Sequence, residues 1–136
     1  MHPTLVSGTG EGGKFVAAAT EALTTAVGFR PFPGTLNLEH AQVEEFPTQT
    51  LEEVGDEYCD GVELRDCRVA GVRAAVIRPF VPDYPPQKTE VIAPVSLRTL
   101  FDLTENDRVP LRPPSDRWPP AELEAVAADL YDRHRC

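Results

Sequence analysis

Lysine is scarce in this chain of 136 residues, which contains Lys14 and Lys88 beside eleven arginines and 22 acidic residues. The formal net charge is −9 at pH 7. Such a surface repels the nucleic-acid backbone, which argues against DNA or RNA as a partner and against a DNA-binding module. The acidity fits either simple solubility or adaptation to a salty cytosol, where screening relieves repulsion between surface acids. The shortage of lysine favours adaptation to salt, and stability should then rise up to molar KCl.

The chain also lacks long apolar runs and closely spaced cysteine pairs. No segment approaches the length of a membrane span, and Met1–Val6 is too short for a signal peptide. Cys59, Cys67 and Cys136 are odd in number and show no C-x-x-C spacing. This pattern predicts reduced thiols, without disulfides and without a zinc site. We therefore expect a cytoplasmic protein that has no membrane partner.

The spacing of apolar residues predicts a single domain that is mainly β with inserted helices. The predicted strands are Thr4–Ser7, Leu36–Glu39, a hairpin that turns at Ala70–Gly71, Glu90–Ala93 and Arg108–Leu111. The predicted helices are Lys14–Val27 (ended by Gly28), Ser96–Leu100 (capped by Ser96) and Ala121–Tyr131. Gln42–Tyr58 is predicted to be a surface loop with a helical turn at Leu51–Val54, and Pro79–Pro86 a second loop. The hairpin should carry its arginines, Arg65, Arg73 and Arg78, on solvated positions.

A glycine-rich stretch, Ser7–Lys14, lies near the amino terminus and admits three interpretations. Gly8, Gly10 and Gly13 match the G-x-G-x-x-G of a dinucleotide loop, and the same stretch matches the first seven positions of a P-loop. A P-loop needs Ser or Thr next as a Mg²⁺ ligand, where this chain has Phe15. Both motifs also require a regular βαβ alternation that is missing here. What remains is a turn whose N–H groups and following helix attract an anion, or simply a flexible turn.

A second stretch, Gly34–Leu38 with the sequence G-T-L-N-L, predicts a turn that leads into an alternating strand. Thr35 and Asn37 are two residues apart, so in a strand both side chains point to one face. Their oxygens form a pair able to hold a cation near phosphates. The alternative is an ordinary polar edge of a strand.

Three blocks of sequence resemble a known family. The blocks read S-G-x-G-E-G, then G-F-x-P-[FY]-x-G-T-L-N-L, then E-V-I-A-P-x-x-L-R, and they match here at Ser7–Phe15, Gly28–Leu38 and Glu90–Leu111. In series they resemble the archaeal CTP-dependent riboflavin kinases. The resemblance implies a six-stranded cradle-loop (RIFT-type) β-barrel over residues 1–112, followed by a Pro-rich linker and a helix over residues 113–136. Some family members carry a winged-helix domain ahead of the barrel, and we expect none here.

The resemblance further implies that the chain transfers the γ-phosphate of CTP to riboflavin, giving CDP and FMN, and we expect a monomer. It puts a catalytic, flavin-contacting carboxylate on Glu90 and Mg²⁺ on Thr35 and Asn37. The implied nucleotide-binding residues are Gly8, Thr9, Gly10, Glu11, Gly12, Gly13, Val95, Ser96, Leu97 and Arg98. These roles are chemically reasonable, because a cation and oriented N–H donors neutralise phosphates, and a carboxylate orients a hydroxyl or takes its proton.

Several alternatives stay open at this point. Glu11 either contacts the nucleotide or shapes the loop, and Arg98 either steadies a phosphate or is solvated. The family usually has a Thr in the loop before the flavin carboxylate, where this chain has Pro82. That departure leaves room for a non-catalytic barrel that binds nucleotide or flavin as a sensor, although the implied metal ligands together with Glu90 favour the kinase. Nothing in the glycine loop selects cytosine over adenine.

Overall fold

A computed structural model describes residues 3–8, 10–52 and 61–114. The predicted helix Ala121–Tyr131, together with Thr9, Cys59 and Cys136, lies outside the described residues. In chain order the elements are β1 (Thr4–Val6), α1 (Glu11–Ala18), α2 (Thr20–Val27), β2 (Leu36–Glu39), β3 (Thr48–Leu51), β4 (Val62–Val69), β5 (Val72–Pro79), β6 (Lys88–Ile92), α3 (Leu97–Leu100) and β7 (Leu111–Arg112). Among these described elements, no helix is long and apolar enough to cross a membrane.

The strands form one antiparallel sheet that curls into a barrel. Its order is β1-β2-β6-β5-β4-β3, and β7 pairs with β4 as well. The segment 106–112 joins the two sides of the barrel, because Ala70 N–H donates to Pro110 O at 3.0 Å while Val109 N–H donates to Pro3 O at 2.8 Å. The prediction of a small, mainly β barrel with inserted helices is confirmed, and its sheet has seven strands where the resemblance implied six.

Two apolar cores lie on opposite faces of the sheet. The first fills the barrel and includes Leu38, Val76 and Leu111. The second lies between the outer face and the helices α1 and α2, and it includes Val16 and Ile77. Because both faces of β5 are covered, four consecutive residues of this strand (Ala74, Ala75, Val76 and Ile77) are buried, so the predicted alternation holds for only part of it.

The amino-terminal helical region differs from the prediction of one helix over Lys14–Val27. Helix α1 begins earlier, at Glu11, so that part of the glycine stretch is its first turn. The region is also divided at Ala19, whose φ of −106° departs from helical geometry. The Thr20 hydroxyl donates to the carbonyl of Val16 at 2.9 Å beside this division, a type of contact that often bends helices. The predicted end at Gly28 is confirmed, since this residue caps α2 with a φ of 79°.

Three further sequence predictions need correction. The predicted loop Gln42–Tyr58 contains strand β3, whose last residue is Leu51, and the rest of the helical turn predicted at Leu51–Val54 lies partly outside the described residues. Arg65 is not solvated, because its guanidinium donates to the carbonyls of Val43 and Glu44 at 3.1 and 2.9 Å and thereby anchors this loop. The predicted strand Arg108–Leu111 is reduced to β7 and one isolated bridge, since a proline at position 110 has no N–H for the ladder.

Other local predictions are confirmed. The hairpin of β4 and β5 turns at Ala70–Gly71, and the Pro-rich stretch before β6 is a loop. Ser96 caps α3 by accepting from the backbone N–H of Thr99 at 3.3 Å. This cap fixes α3 after β6, where Arg98 and the glycine stretch line the same cavity.

Cys67 on β4 gives a first testable prediction. It is 1% exposed, and burial, with a smaller contribution from Asp66, raises its pKa from 9.0 to about 12. Because the thiolate is the reactive form, iodoacetamide should not label Cys67 in the folded protein at neutral pH but should label it after unfolding. Peptide mass spectrometry would assign the label to each cysteine, and rapid labelling of native Cys67 would contradict the prediction.

The raised pKa of Cys67 should also make the free energy of unfolding fall as pH rises above 9.0, where the thiol ionises in the unfolded chain but not in the folded one.

Candidate functional site

The antiparallel pairing of β2 with β6 places Asn37 directly opposite Glu90. Directly opposed residues point to the same face of a sheet, and the next strand adds Ile77 opposite Glu90. Ile77 belongs to the core beneath α1 and α2, so the two polar side chains lie on the helix-covered face. Both are buried, with 8% of Asn37 and 7% of Glu90 exposed. A carboxylate and an amide in this position need polar partners.

Glu90 has partners at both of its oxygens. The Thr35 hydroxyl donates to Oε1 at 3.0 Å, and the Tyr84 hydroxyl donates to Oε2 at 2.8 Å. The ammonium of Lys88 lies 4.0 Å from Oε2. Burial raises the pKa of Tyr84, and the negative charge of Glu90 raises it further. Tyr84 therefore stays protonated and keeps its role as a donor to the carboxylate.

The glycine stretch packs directly on these polar side chains. A methyl group at Gly8 would overlap the amide of Asn37, and one at Gly12 would overlap Glu90 Oε1 and the Thr35 hydroxyl. Gly10 is needed for a different reason, since it begins α1 with a left-handed φ of 85°. The backbone of the glycine stretch thus lies against Asn37 at Gly8 and against Thr35 and Glu90 at Gly12, in the first turn of α1.

This close approach predicts a strong effect of Gly12→Ala. The added methyl should push the start of α1 away from Glu90 and lower stability by about 1–3 kcal/mol, as overpacking does. Misplacement of these site groups should lower turnover of the kinase reaction that the resemblance implies by up to about 100-fold. Gly28→Ala is the matched control, because it strains a left-handed cap at the far end of α2. Thermal melts and steady-state turnover of both variants would test this. Normal turnover in Gly12→Ala would show that the close approach has no functional importance.

Two cavities lie beside this cluster and share Thr35 and Lys14 in their walls. The first has a volume of about 580 Å³ and a largely apolar wall, with Tyr84 and Glu90 among its polar groups. The second has a volume of about 540 Å³ and is lined mainly by glycines and polar side chains, including Arg98. The arrangement suits one apolar and one anionic ligand whose reactive ends meet near Thr35.

The structure places most of the predicted site residues around these cavities. Glu11, Gly12, Thr35 and Glu90 line the first, and Gly8, Gly10, Gly13, Thr35, Asn37 and Arg98 line the second. A smaller cavity of about 130 Å³ is lined by Val95, Ser96, Leu97 and Arg98. Leu97 is also part of the barrel core. Thr9 lies outside the described residues. The individual binding roles stay predictions.

The oxygens of Thr35 and Asn37 fit a hard divalent cation. Asn37 Oδ1 is buried without a hydrogen-bond partner, which is costly unless an incoming group satisfies it. The Thr35 hydroxyl donates its hydrogen to Glu90 and keeps its lone pairs. Within residues 3–8, 10–52 and 61–114 there is no cluster of three His, Cys, Asp or Glu side chains. A cation held here would take its remaining ligands from phosphate oxygens and water, as Mg²⁺ commonly does.

Sequence analysis missed Tyr84 and Lys14. Tyr84 lies in the Pro-rich loop before β6, where the only sequence signal is an amphipathic aromatic close to the predicted carboxylate. Pro82, which occupies the position of the family's usual Thr, lies in a turn of this loop, whereas Val81 and Tyr84 line the first cavity. Lys14 is 80% exposed and pairs with Glu11 at 3.9 Å, an exposed pair that holds it only weakly.

Comparisons with known proteins find one matching family and several similar relatives. Residues 5–112 match a family model named CTP-dep_RFKase and described as a domain of unknown function, DUF120. The chain is 33% identical over 121 residues to a riboflavin kinase of Thermococcus kodakarensis, covering 79% of this chain and 55% of the relative. It is 34% identical over 118 residues to a riboflavin kinase of Methanocella arvoryzae, covering 80% and 54%. A riboflavin kinase of Aeropyrum pernix is 28% identical over 120 residues, covering 80% of this chain and 91% of the relative. The chain thus spans about half the length of the first two relatives.

Proposed function

The chain belongs to the CTP-dep_RFKase family. We propose that it transfers the terminal phosphoryl group of a nucleoside triphosphate to riboflavin, forming FMN. The observation that carries the proposal is the position of Glu90. This buried carboxylate lies in the wall of the apolar cavity and contacts Thr35, which lines both cavities. A phosphoryl donor in one cavity and an acceptor hydroxyl in the other would meet beside it.

The apolar cavity is the proposed riboflavin site. Its wall includes Phe15, Val62 and Ile77, which suit the flat apolar ring system, and Glu90 is one of its polar lining residues. The ribityl chain would then place its terminal hydroxyl near Glu90. The carboxylate would orient this hydroxyl and accept its proton as the oxygen attacks the γ-phosphorus. The bond from the γ-phosphorus to the bridging oxygen breaks, and the nucleoside diphosphate leaves.

The glycine-lined cavity is the proposed nucleotide site. Backbone N–H groups at the start of α1 would donate to phosphate oxygens, aided by the positive end of the helix. Lys14 lines both large cavities and Arg98 lines the glycine-rich one, so both would neutralise phosphate charge. The smaller cavity beside Val95–Arg98 would receive the rest of the nucleotide.

Thr35 and Asn37 would hold Mg²⁺, which when bound supplies charge neutralisation to the phosphates. The buried Asn37 Oδ1 without a hydrogen-bond partner supports this assignment. Thr35 contributes in a second way, because its hydroxyl donates to Glu90 and so connects the proposed cation site to the proposed base.

CTP is the proposed phosphoryl donor, and its support is the name of the family. The test is to incubate the purified chain with riboflavin, Mg²⁺ and each of CTP, ATP, GTP and UTP, and to quantify FMN by chromatography. We expect FMN formation with CTP fastest. FMN formation with another nucleotide alone would correct the donor but not the reaction. Binding of riboflavin and CTP without any turnover would replace the kinase by the non-catalytic sensor.

A further inference from the structure

Tyr84 contacts the proposed base from the side opposite Thr35. It lies in the loop between β5 and β6, and its hydroxyl donates to Glu90 Oε2 at 2.8 Å. Two cations lie over its ring, with Arg78 at 4.9 Å and Lys88 at 5.6 Å from the centroid. These contacts favour one position of the ring, and the ring also forms part of the wall of the apolar cavity.

The two oxygens of Glu90 have different surroundings. Oε1 lies beneath Gly12 and accepts from Thr35, so it faces the place where the two cavities meet. Oε2 faces Tyr84 and Lys88, which both line the apolar cavity proposed for riboflavin. Lys88 is a poor anchor for Oε2, since 4.0 Å is longer than a hydrogen bond and its side chain is 26% exposed. The carboxylate is therefore held by Thr35 at Oε1 and mainly by the Tyr84 hydroxyl at Oε2.

We infer that Tyr84 is a positioning residue for the proposed phosphoryl transfer. By donating to Oε2, its hydroxyl prevents rotation of the carboxylate and keeps Oε1 directed at the acceptor hydroxyl of riboflavin. This inference rests on the proposed function, and it assigns Tyr84 no contact with the reacting atoms. The ring and the hydroxyl have separable effects, because the ring shapes the cavity while the hydroxyl acts through Glu90.

Tyr84→Phe tests the hydroxyl alone, because it keeps the ring in the cavity wall. A hydrogen bond to a charged group corresponds to a change of about 10-fold to 100-fold, so kcat should fall by that factor while the KM for riboflavin changes less than about twofold. The control is Phe80→Leu, which alters an aromatic of the same loop that is 38% exposed and should leave kcat normal. A normal kcat in Tyr84→Phe from an active wild type would overturn the inference.

The dependence on Glu90 is tested by combining Tyr84→Phe with Glu90→Ala. If Tyr84 acts through the carboxylate, adding Tyr84→Phe to the Glu90→Ala variant should cause no further loss of kcat. A further loss of the same size would overturn the inference, because Tyr84 would then act on its own.

A measurement of unfolding separates this inference from the proposed function. Tyr84→Phe should raise the equilibrium constant for denaturant unfolding about 10-fold to 100-fold in the wild-type background and less than about twofold beside Glu90→Ala. If this coupling is observed but the wild type forms no FMN, the proposed function and the role of Tyr84 in it are both overturned, while the contact between Tyr84 and Glu90 is confirmed. Absence of the coupling with an active wild type would overturn only the role of Tyr84.

Discussion

Glu90→Gln should lower kcat for FMN formation by about 10²–10⁴-fold, the usual range for general acid–base catalysis. The substitution keeps the size of the side chain but removes the negative charge that would accept the proton. The Kd for CTP should barely change, because the proposed phosphate contacts come from the glycine stretch, Lys14 and the cation. The measurements are kcat by FMN chromatography and Kd by isothermal titration calorimetry.

The structure changes what this substitution should do to stability. Glu90 follows a loop, and a lone glutamate in such a position is usually a solvated charge. It is instead 7% exposed and accepts from two hydroxyls. Hydroxyls rotate and can accept from the new amide, so the stability loss should be about 1 kcal/mol.

A matched control is available for Glu90→Gln on another strand. Glu63 on β4 accepts from Arg65 Nε at 2.9 Å, has a side chain that is 25% exposed, and lies away from the proposed ligand cavities. Glu63→Gln should therefore lower stability slightly and leave kcat normal. A kcat close to wild type in Glu90→Gln would remove Glu90 from the mechanism.

Asn37→Ala should lower kcat by about 10²–10³-fold, as removal of one preorganised electrostatic group does, without lowering stability. The physical reason is that Oδ1 is buried with no hydrogen-bond partner, so its removal eliminates an unsatisfied group. A melting temperature equal to or above that of wild type, together with a weaker response of turnover to Mg²⁺, is the expected result. Few site residues offer this combination, because buried polar side chains usually stabilise the fold.

Thr89→Ala serves as the control for Asn37→Ala. Thr89 is also 8% exposed and lies on β6 next to Glu90, but it pairs with Leu38 on the neighbouring strand and lines neither large ligand cavity. Thr89→Ala should keep both turnover and its Mg²⁺ dependence. Unchanged activity of Asn37→Ala at saturating Mg²⁺ would contradict the cation assignment.

Local features of this protein were predictable because local interactions determine them. The cap at Gly28, the hairpin at Ala70–Gly71 and the cap at Ser96 each depend on residues close in sequence. Strand β3 was missed because its residues are mostly exposed, so no apolar alternation marks it. The start of α1 at Glu11 was missed because two glycines in its first turn weaken the helical pattern.

The candidate site was predictable only in part. The resemblance pointed to Thr35, Asn37 and Glu90, but the direct opposition of Asn37 and Glu90 depends on a strand register that spacing cannot supply. Tyr84 reaches Glu90 through the conformation of a Pro-rich loop, which its composition does not determine. The expected gain of stability in salt stays a prediction that depends on the whole acidic surface.

The closing segment 106–112 has a kinetic consequence. It follows all the other described strands in sequence, yet it holds the first one, since Leu5 N–H donates to Asp107 O at 2.8 Å and Asn106 N–H donates to Leu5 O at 2.9 Å. Contacts between such distant parts of a chain form slowly, because the loop between them must first be ordered. Strand β1 also leads directly into the glycine stretch. A chain still emerging from the ribosome would therefore expose this edge of β1, and the proposed phosphate-binding stretch would lack its support, until residues 106–112 have been synthesised.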